Sequence, residues 1–160
     1  MYHLSEAYLM ASYISLLAVY LGALIFGTAA VAPIAVGTLA ADSAGMFLRR
    51  YWVAYHRFAV IGGLFFASTA AIGSTVSAVP SRYALLLVSL AGLMTILFFS
   101  AMRLIPSINA ARDNADDETF NRLHRHNVSL VSLGMLTAIA LLVALIYVLP
   151  GQFTFWPTAS

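Results

Sequence analysis

The sequence predicts an all-α integral membrane protein, a bundle of four helices that cross the bilayer. Of the 160 residues, 62% are hydrophobic and only 9% are charged, and the mean hydropathy is +0.91. A soluble domain carries about 25% charged residues, so this composition is too apolar for a water-exposed surface. The second observation is that the apolar residues are gathered in four continuous runs.

The four runs predict membrane spans at about 7–31, 58–76, 83–104 and 127–149. Each is close to the roughly 20 residues that a helix needs to cross about 30 Å of hydrocarbon. Because the runs are continuously apolar and do not alternate, they favour helices over the strands of a barrel. The first run has no positively charged segment before it and exceeds the length of a signal-peptide core, so we interpret it as a retained helix. We expect one membrane domain over residues 1–160.

The distribution of the eight basic residues, all of them arginine, predicts the orientation. Seven lie in or beside the segments that join spans one and two and spans three and four, whereas Arg82 lies between spans two and three. By the positive-inside rule both arginine-rich segments are cytoplasmic, which puts both termini on the non-cytoplasmic side of the cell inner membrane. The arginines flank apolar spans, a pattern that predicts the lipid bilayer as a partner and excludes nucleic acid.

Both arginine-rich segments are predicted to be helical. Residues 43–57 carry apolar residues at helical spacing, which indicates an interfacial helix or a cytoplasmic extension of the second span. Arg49, Arg50 and Arg57 are its candidate contacts to lipid headgroups. Residues 116–126 begin with acidic side chains and end with basic ones, as the helix dipole favours, so the fourth helix is expected to start near Asp116.

A stripe of small residues on the second span predicts close helix packing. The stripe consists of Ala59, Gly63, Ala67 and Ala71, which recur every four residues along one face. In lipid, small side chains let a neighbouring backbone approach closely. The neighbour is either another helix of the same bundle or another subunit.

Three histidines lie at the arginine-rich side of the predicted bundle. His56 precedes the second span, and His124 and His126 precede the fourth. Two imidazoles from different helices can ligate a haem iron, and three can hold a transition metal. Because His124 and His126 point about 200° apart on a helix, His56 with His124 is the better pair. The alternative is that these histidines contact headgroups or backbone carbonyls.

Arg103 is the remaining candidate for a binding role. It ends the third span three residues before Pro106, where the helix is expected to kink or stop. Its guanidinium is either an anchor to lipid phosphate or a charge partner for an anionic ligand such as a haem propionate. A proton relay requires ionisable side chains such as carboxylates within the membrane, and no carboxylate lies inside a span. No hydrolase motif is present either. No catalytic residue is assigned.

Several short motifs resemble the transmembrane-protein-205-like family, a bacterial family of four-helix membrane proteins without an assigned reaction. They are listed here in chain order: Val31-Ala32-Pro33, Leu48-Arg49-Arg50-Tyr51, Arg103-Leu104-Ile105-Pro106 and Leu123-His124. The resemblance covers about residues 10–148 and implies that Leu123-His124 matches a family pair at the fourth helix. Asn127 and Val131 stand where the family usually has a serine and an asparagine.

Three functional hypotheses follow from these features. The favoured one is a non-catalytic accessory or structural subunit of a larger respiratory or photosynthetic membrane assembly, with other membrane subunits as partners. The first alternative is a redox protein that binds haem b or a metal through His56 and His124. The second alternative is a small exporter, for which one bundle of four helices is thin.

Overall fold

The computed structural model describes residues 2–76 and 81–147, and almost all of them are helical. The elements, in chain order, are α1 (Tyr2–Phe26), a π-helical segment (Gly27–Val31), α2 (Ala32–Thr38), α3 (Ala41–Val76), α4 (Ser81–Asp113) and α5 (Asp117–Tyr147). Four helical stretches in this part of the chain are long and apolar enough to cross a membrane: Met10–Thr38, Ala41–Gly73, Tyr83–Asp113 and Asp117–Tyr147. The predictions of an all-α fold and of a multi-pass membrane protein are confirmed.

The helices extend beyond the predicted spans at the arginine-rich end. Residues 43–57 form the first half of α3 and continue into the second span without a break. Residues 117–126 likewise form the first turns of α5. Residues 148–149 of the predicted fourth span lie outside the described residues.

Of the two outcomes predicted at Pro106, a kink or a stop, the stop does not occur, because α4 continues to Asp113. A proline inside a helix removes one backbone hydrogen bond and crowds the carbonyl four residues earlier. Around this proline, Ile105, Ile108 and Ala111 are buried against the bundle. Their packing holds the last turns of α4 in helical form.

The connection between α4 and α5 is a tight turn. Ala115 has a left-handed backbone with φ of 53°; its N–H donates to Arg112 O, and the N–H of Asp116 donates to Ala111 O. This pattern is a Schellman motif, which satisfies the last carbonyls of a helix. Asp116 then caps α5 by accepting the Thr119 N–H at 3.0 Å, and this hydrogen bond holds the pKa of the Asp116 carboxyl below its usual range.

We expect Ala115→Gly to stabilise the protein by about 0.5–1 kcal/mol. A left-handed backbone is unfavourable for alanine and free of steric cost for glycine, although glycine loses more chain entropy on folding. Unfolding in mixed micelles measures the change. Ala110→Gly, at an exposed position inside α4, is the control and should destabilise by about 1 kcal/mol; destabilisation by both variants would contradict the prediction.

The first helix is interrupted by the π-helical segment just before Pro33. Within it the N–H of Ala32 donates to Gly27 O, five residues back instead of four. Pro33 has no N–H and would press its ring on the carbonyl of Ala29 in a regular α-helix. Widening the turn into a π-bulge relieves that clash. Gly27 is buried in this segment. A Cβ at this position would collide with the hydroxyl of Tyr51, so the close contact requires glycine.

Tyrosine hydroxyls fix how α1 and α3 lie against each other. Tyr13 donates to Phe66 O at 2.9 Å, Tyr20 to Ala59 O at 2.5 Å, and Tyr55 to Leu24 O at 3.3 Å. The residue numbers rise on α1 as they fall on α3, so the two helices are antiparallel. The end of α1 after Leu24, the π-helical segment and α2 therefore run alongside the arginine-rich first half of α3.

The other helix pairs meet at small residues. A Cβ on Gly63 would lie 3.2 Å from the Cα of Thr95 in α4, and one on Gly134 of α5 would lie 2.9 Å from the Phe98 ring. Helix α4 packs mainly on α3 and α5, and α1 packs on α5 and α3. The core between them consists of Leu17, Tyr20, Leu21, Leu24, Tyr55, Ala59, Phe66, Ala91, Met94, Phe98, Ala101, Val131, Ala138, Leu141 and Leu145.

Candidate functional site

A buried polar cluster joins three helices at the level where the apolar core gives way to the arginine-rich end. His56 of α3 is completely buried, and Asn127 of α5 is 7% exposed. The Asn127 side-chain amide donates to the backbone carbonyl of Ala101 in α4 at 2.8 Å. The same Nδ2 lies 3.4 Å from Nε2 of His56. One amide group thus ties α5 to both α4 and α3.

The contacts of His56 define its protonation state. Its Nδ1 lies 2.7 Å from the backbone oxygen of Trp52, and because a carbonyl only accepts, Nδ1 carries the proton. Nε2 then accepts from the second N–H of Asn127. A proton on Nε2 would face that N–H, so this arrangement fits a neutral imidazole. Both ring nitrogens of His56 and the side-chain nitrogen of Asn127 therefore have partners, as a buried polar network requires.

Aromatic rings surround the buried imidazole. Trp52 and Tyr55 pack edge-on against His56, with ring centroids 6.2 Å and 5.4 Å away. Tyr51 contacts both Trp52 and Tyr55, and Phe47 stacks on Tyr51. A continuous aromatic strip therefore follows one side of α3 from its exposed start to the buried histidine.

The predicted pairing of His56 with His124 does not occur in the described contacts. His124 is exposed, and its ring stacks on Phe120 of the same helix at 5.6 Å and 4°. His56 faces Asn127 instead. No group of three or more His, Asp or Glu side chains in the described part of the chain is placed to hold a metal ion.

The geometry around His56 does not fit a haem. Axial ligation needs an imidazole nitrogen directed into open space beside the porphyrin. Here Nδ1 is engaged by Trp52 and Nε2 by Asn127, with no exposed surface left on the residue. Arg103, predicted as a partner for a propionate, is exposed and has no described contact with His56. The physical reason is helix register, which brings Asn127 and not His124 opposite the histidine.

The arginine-rich end is held together by an ion pair between α3 and α4. The guanidinium of Arg49 donates to both carboxylate oxygens of Asp113, at 2.5 Å and 3.1 Å. The two side chains are 44% and 55% exposed. This contact puts both arginine-rich segments at the same end of the bundle, as their predicted common side requires. Nearby, the Arg112 guanidinium lies 5.4 Å from the centre of the Phe120 ring.

We expect Arg49→Asp to destabilise the protein, because it places two carboxylates side by side at this end. The charge-swapped double variant, Arg49→Asp with Asp113→Arg, should recover most of the loss. Thermal unfolding of the wild type and these variants at low and high salt measures the effect, which salt should diminish. An uncompensated loss in the double variant would show that packing of the arginine side chain, rather than its charge, matters.

The predicted small-residue stripe packs mainly inside the bundle. Ala59 and Gly63 are buried, Ala67 is half-buried and Ala71 is exposed. At Gly63 the neighbouring element is α4 of the same chain. The predicted headgroup contacts Arg49, Arg50 and Arg57 are all exposed.

The chain matches one protein family, described only as a domain of unknown function, DUF4149. The match covers residues 15–117, more than half of the 160 residues. The chain belongs to the DUF4149 family. The family segment takes in the second half of α1 and all of α2, α3 and α4, and it ends before His124 and Asn127. The family is of unknown function, so this match assigns no reaction. The chain has no significant match among curated proteins or solved structures.

Sequence reasoning missed the role of Asn127 and of the buried tyrosines. Asn127 was noted only as a departure from a family pattern, although a lone amide at the start of an apolar run is a signal for an interhelical hydrogen bond. Tyr13 and Tyr20 lie inside an apolar span, where a hydroxyl needs a partner. Which carbonyl each would find depends on the register between helices, which no local pattern contains.

Proposed function

We propose that this DUF4149 protein is a non-catalytic accessory subunit of a larger membrane assembly, such as a respiratory or photosynthetic complex. The observation that carries the proposal is the outward face of α1. Four small residues, Ala11, Ser15, Ala18 and Gly22, recur on one side of this helix, and all are exposed. A Cβ on Gly22 would meet nothing within 4 Å. In lipid, such a face accepts the close approach of a helix from another protein.

The closed interior supports a structural role. Among the described residues, every buried side-chain nitrogen or oxygen has a hydrogen-bond partner. Functional sites commonly leave some polar groups ready for a ligand, whereas here His56 and Asn127 are engaged in joining helices. The polar chemistry of the interior is accounted for by assembly of the bundle.

The proposed setting is the cell inner membrane, with the arginine-rich end in the cytoplasm and both termini on the other side. The positive-inside rule supports this orientation, as does the ion pair that gathers arginines from two segments at one end. Labelling of single cysteines introduced at Asn114 and at Tyr8 tests it; modification of Asn114→Cys from the non-cytoplasmic side would reverse it. The proposed kinship with transmembrane-protein-205-like proteins rests on the short motifs given above.

Blue-native electrophoresis in mild detergent tests the accessory-subunit proposal. We expect the native protein to migrate within a larger complex, and Ala18→Leu or Gly22→Leu to release it. Ala140→Leu, at an exposed position on α5, is the matched control and should leave the complex intact. Migration of the native protein as a free monomer would reject the proposal.

The two alternatives have separate tests. Haem binding predicts a Soret band in the purified protein that disappears in His124→Ala, but the buried contacts of His56 give it no geometric support. Export predicts transport in vesicles that contain only this protein. Neither outcome is expected if the chain acts as a structural subunit.

A further inference from the structure

The start of α3 projects past the end of α4 at the arginine-rich end of the bundle. The ion pair with Asp113 puts Arg49 level with the end of α4, whereas α3 begins eight residues earlier, at Ala41. Eight residues of helix are roughly 12 Å long. Together with α2, which runs alongside, this part of α3 forms a hairpin of residues 32–48, which we call the projecting hairpin.

The projecting hairpin lies beyond the lipid headgroups. On α5 the apolar sequence begins at Asn127, which meets His56 of α3, so the hydrocarbon ends near the level of His56. Met46 is ten residues closer to the start of α3, roughly 15 Å away at 1.5 Å per residue. The headgroup layer is only about 5–8 Å thick on each side of the membrane. The exposed side chains of this hairpin are therefore in contact with water.

The water-exposed surface of the projecting hairpin is apolar. On α3, Met46 is 66% exposed and Phe47 is 42% exposed. On α2, Ile34 is 59% exposed and Val36 is 64% exposed. The Phe47 ring stacks on Tyr51 with ring centroids 5.7 Å apart, which fixes its position. Contiguous apolar surface exposed to water is typical of a site that another protein covers.

A groove lies where the projecting hairpin passes the end of α4. Its volume is about 1110 Å³, and its lining includes Asp42, Met46, Phe47 and Arg50 of α3 and Arg112 of α4. A helix about 10 Å wide occupies roughly 120 Å³ per residue, so the groove has room for about two turns of helix. We call it the hairpin groove.

Charge and apolar surface are separated along the hairpin groove. Arg50 and Arg112 line its membrane end, and Met46 and Phe47 lie one helical turn further out. A ligand that fills the groove must therefore present an anionic group about one turn away from its apolar side chains. A second copy of this chain would bring the same arginines to the groove, so like charges would face each other across a two-fold interface. The charge pattern favours an acidic partner over a second copy.

We propose that the hairpin groove binds an acidic amphipathic helix of a partner protein on the aqueous side of the arginine-rich end. Apolar side chains of that helix cover Met46 and Phe47. Its carboxylates, one turn away, pair with Arg50 and Arg112. Arginine suits this contact because its planar fork donates two parallel hydrogen bonds to a carboxylate. The proposal gives the accessory subunit a docking surface outside the membrane, and it rests on that proposed function for the existence of a partner.

Synthetic helical peptides test the hairpin groove on the full chain in nanodiscs of phosphatidylcholine and phosphatidylglycerol. The peptides are cross-linked between side chains, because short helices are marginal in water. The first carries leucines on one face with glutamates beside them. In the second the glutamates are replaced by lysines, and in the third the leucines are replaced by glutamines. Fluorescence anisotropy, corrected for binding to empty nanodiscs, should show binding of the first peptide and about tenfold weaker binding of the other two.

Substitutions of groove residues should weaken binding of the acidic peptide. Arg50→Gln and Arg112→Gln each remove one exposed ion pair, and the expected loss of affinity is up to about fivefold. Met46→Ser should weaken binding about tenfold, because it removes the apolar contact of one side chain. Ile34→Ser is the matched control. Ile34 is exposed on the other arm of the hairpin and does not line the groove, so its substitution should leave binding unchanged.

Two results would overturn the proposed docking surface. One is binding of the acidic peptide no tighter than that of the lysine peptide, or equal weakening by Ile34→Ser. The other is a chain that is dimeric in detergent and becomes monomeric on Met46→Ser, which would assign the groove to a second copy. Neither result affects the accessory-subunit proposal itself, because its test uses substitutions on the outward face of α1.

Discussion

Asn127→Leu is expected to destabilise the bundle by about 1–3 kcal/mol. The substitution keeps a side chain of similar size but removes the amide that bridges His56 and the Ala101 carbonyl. Nε2 of His56 is then left buried without a donor, and an unsatisfied buried polar group costs about 1–3 kcal/mol. Interhelical hydrogen bonds in membranes average about 0.6 kcal/mol, which puts the expected value toward the lower half of the range. Reversible unfolding in mixed micelles measures it.

A double-mutant cycle makes this prediction specific. His56→Leu combined with Asn127→Leu removes both partners, so the double variant should be more stable than the sum of the single losses implies. Asn121→Leu, at an exposed position on the same helix, is the control and should change stability by less than about 0.5 kcal/mol. Additive losses would mean that the two side chains stabilise the bundle separately.

Gly62→Ala is expected to destabilise the protein by up to about 2 kcal/mol, although alanine is the better helix former. A Cβ at this position would lie 2.2 Å from the Tyr20 ring. That ring is buried, and its hydroxyl is fixed to Ala59 O, so it cannot turn aside without losing the hydrogen bond. Overpacking typically costs about 1–3 kcal/mol, and the gain in helix propensity offsets about 1 kcal/mol of it.

Gly92→Ala is the matched control for this substitution. Gly92 also lies inside a long apolar helix, but a Cβ there would meet nothing within 4 Å. We expect the Gly92→Ala variant to be as stable as the wild type or slightly more stable. If both variants were equally stable, the close contact between α1 and α3 at Gly62 would not exist in the folded protein.

Composition and hydropathy were sufficient to predict the fold class, because a surface that faces lipid is built mostly from apolar residues. Residues such as Val19, Ile61 and Leu85 are more than 60% exposed, which only a hydrocarbon environment accommodates in such numbers. Arginine placement predicted that the segments around Arg49 and Arg112 lie at the same end. Hydropathy and arginine placement are summed over many residues, so a wrong interpretation of one residue does not change the predicted fold class.

The candidate site was predicted poorly, because it depends on register. His56 was identified as a residue of interest, but the choice of His124 as its partner assumed that two histidines at similar depth face each other. On α5, Asn127 lies three residues further along and meets the histidine instead. The sequence left open whether α4 kinks or stops at Pro106 for a related reason: the buried side chains that hold its last turns can be identified only once the neighbouring helices are placed.

The first and the last helical stretches differ in the length of their apolar parts. The apolar stretch Met10–Thr38 has 29 residues, roughly 44 Å at 1.5 Å per residue. On α5, apolar sequence begins only at Asn127, after Arg125, and extends for roughly 30 Å to Tyr147. A flat bilayer of uniform thickness matches the second length and not the first. Unless another protein covers the excess length, we therefore expect the lipid to thicken beside α1 or the bundle to tilt, at a cost that depends on the thickness of the membrane in which the protein resides.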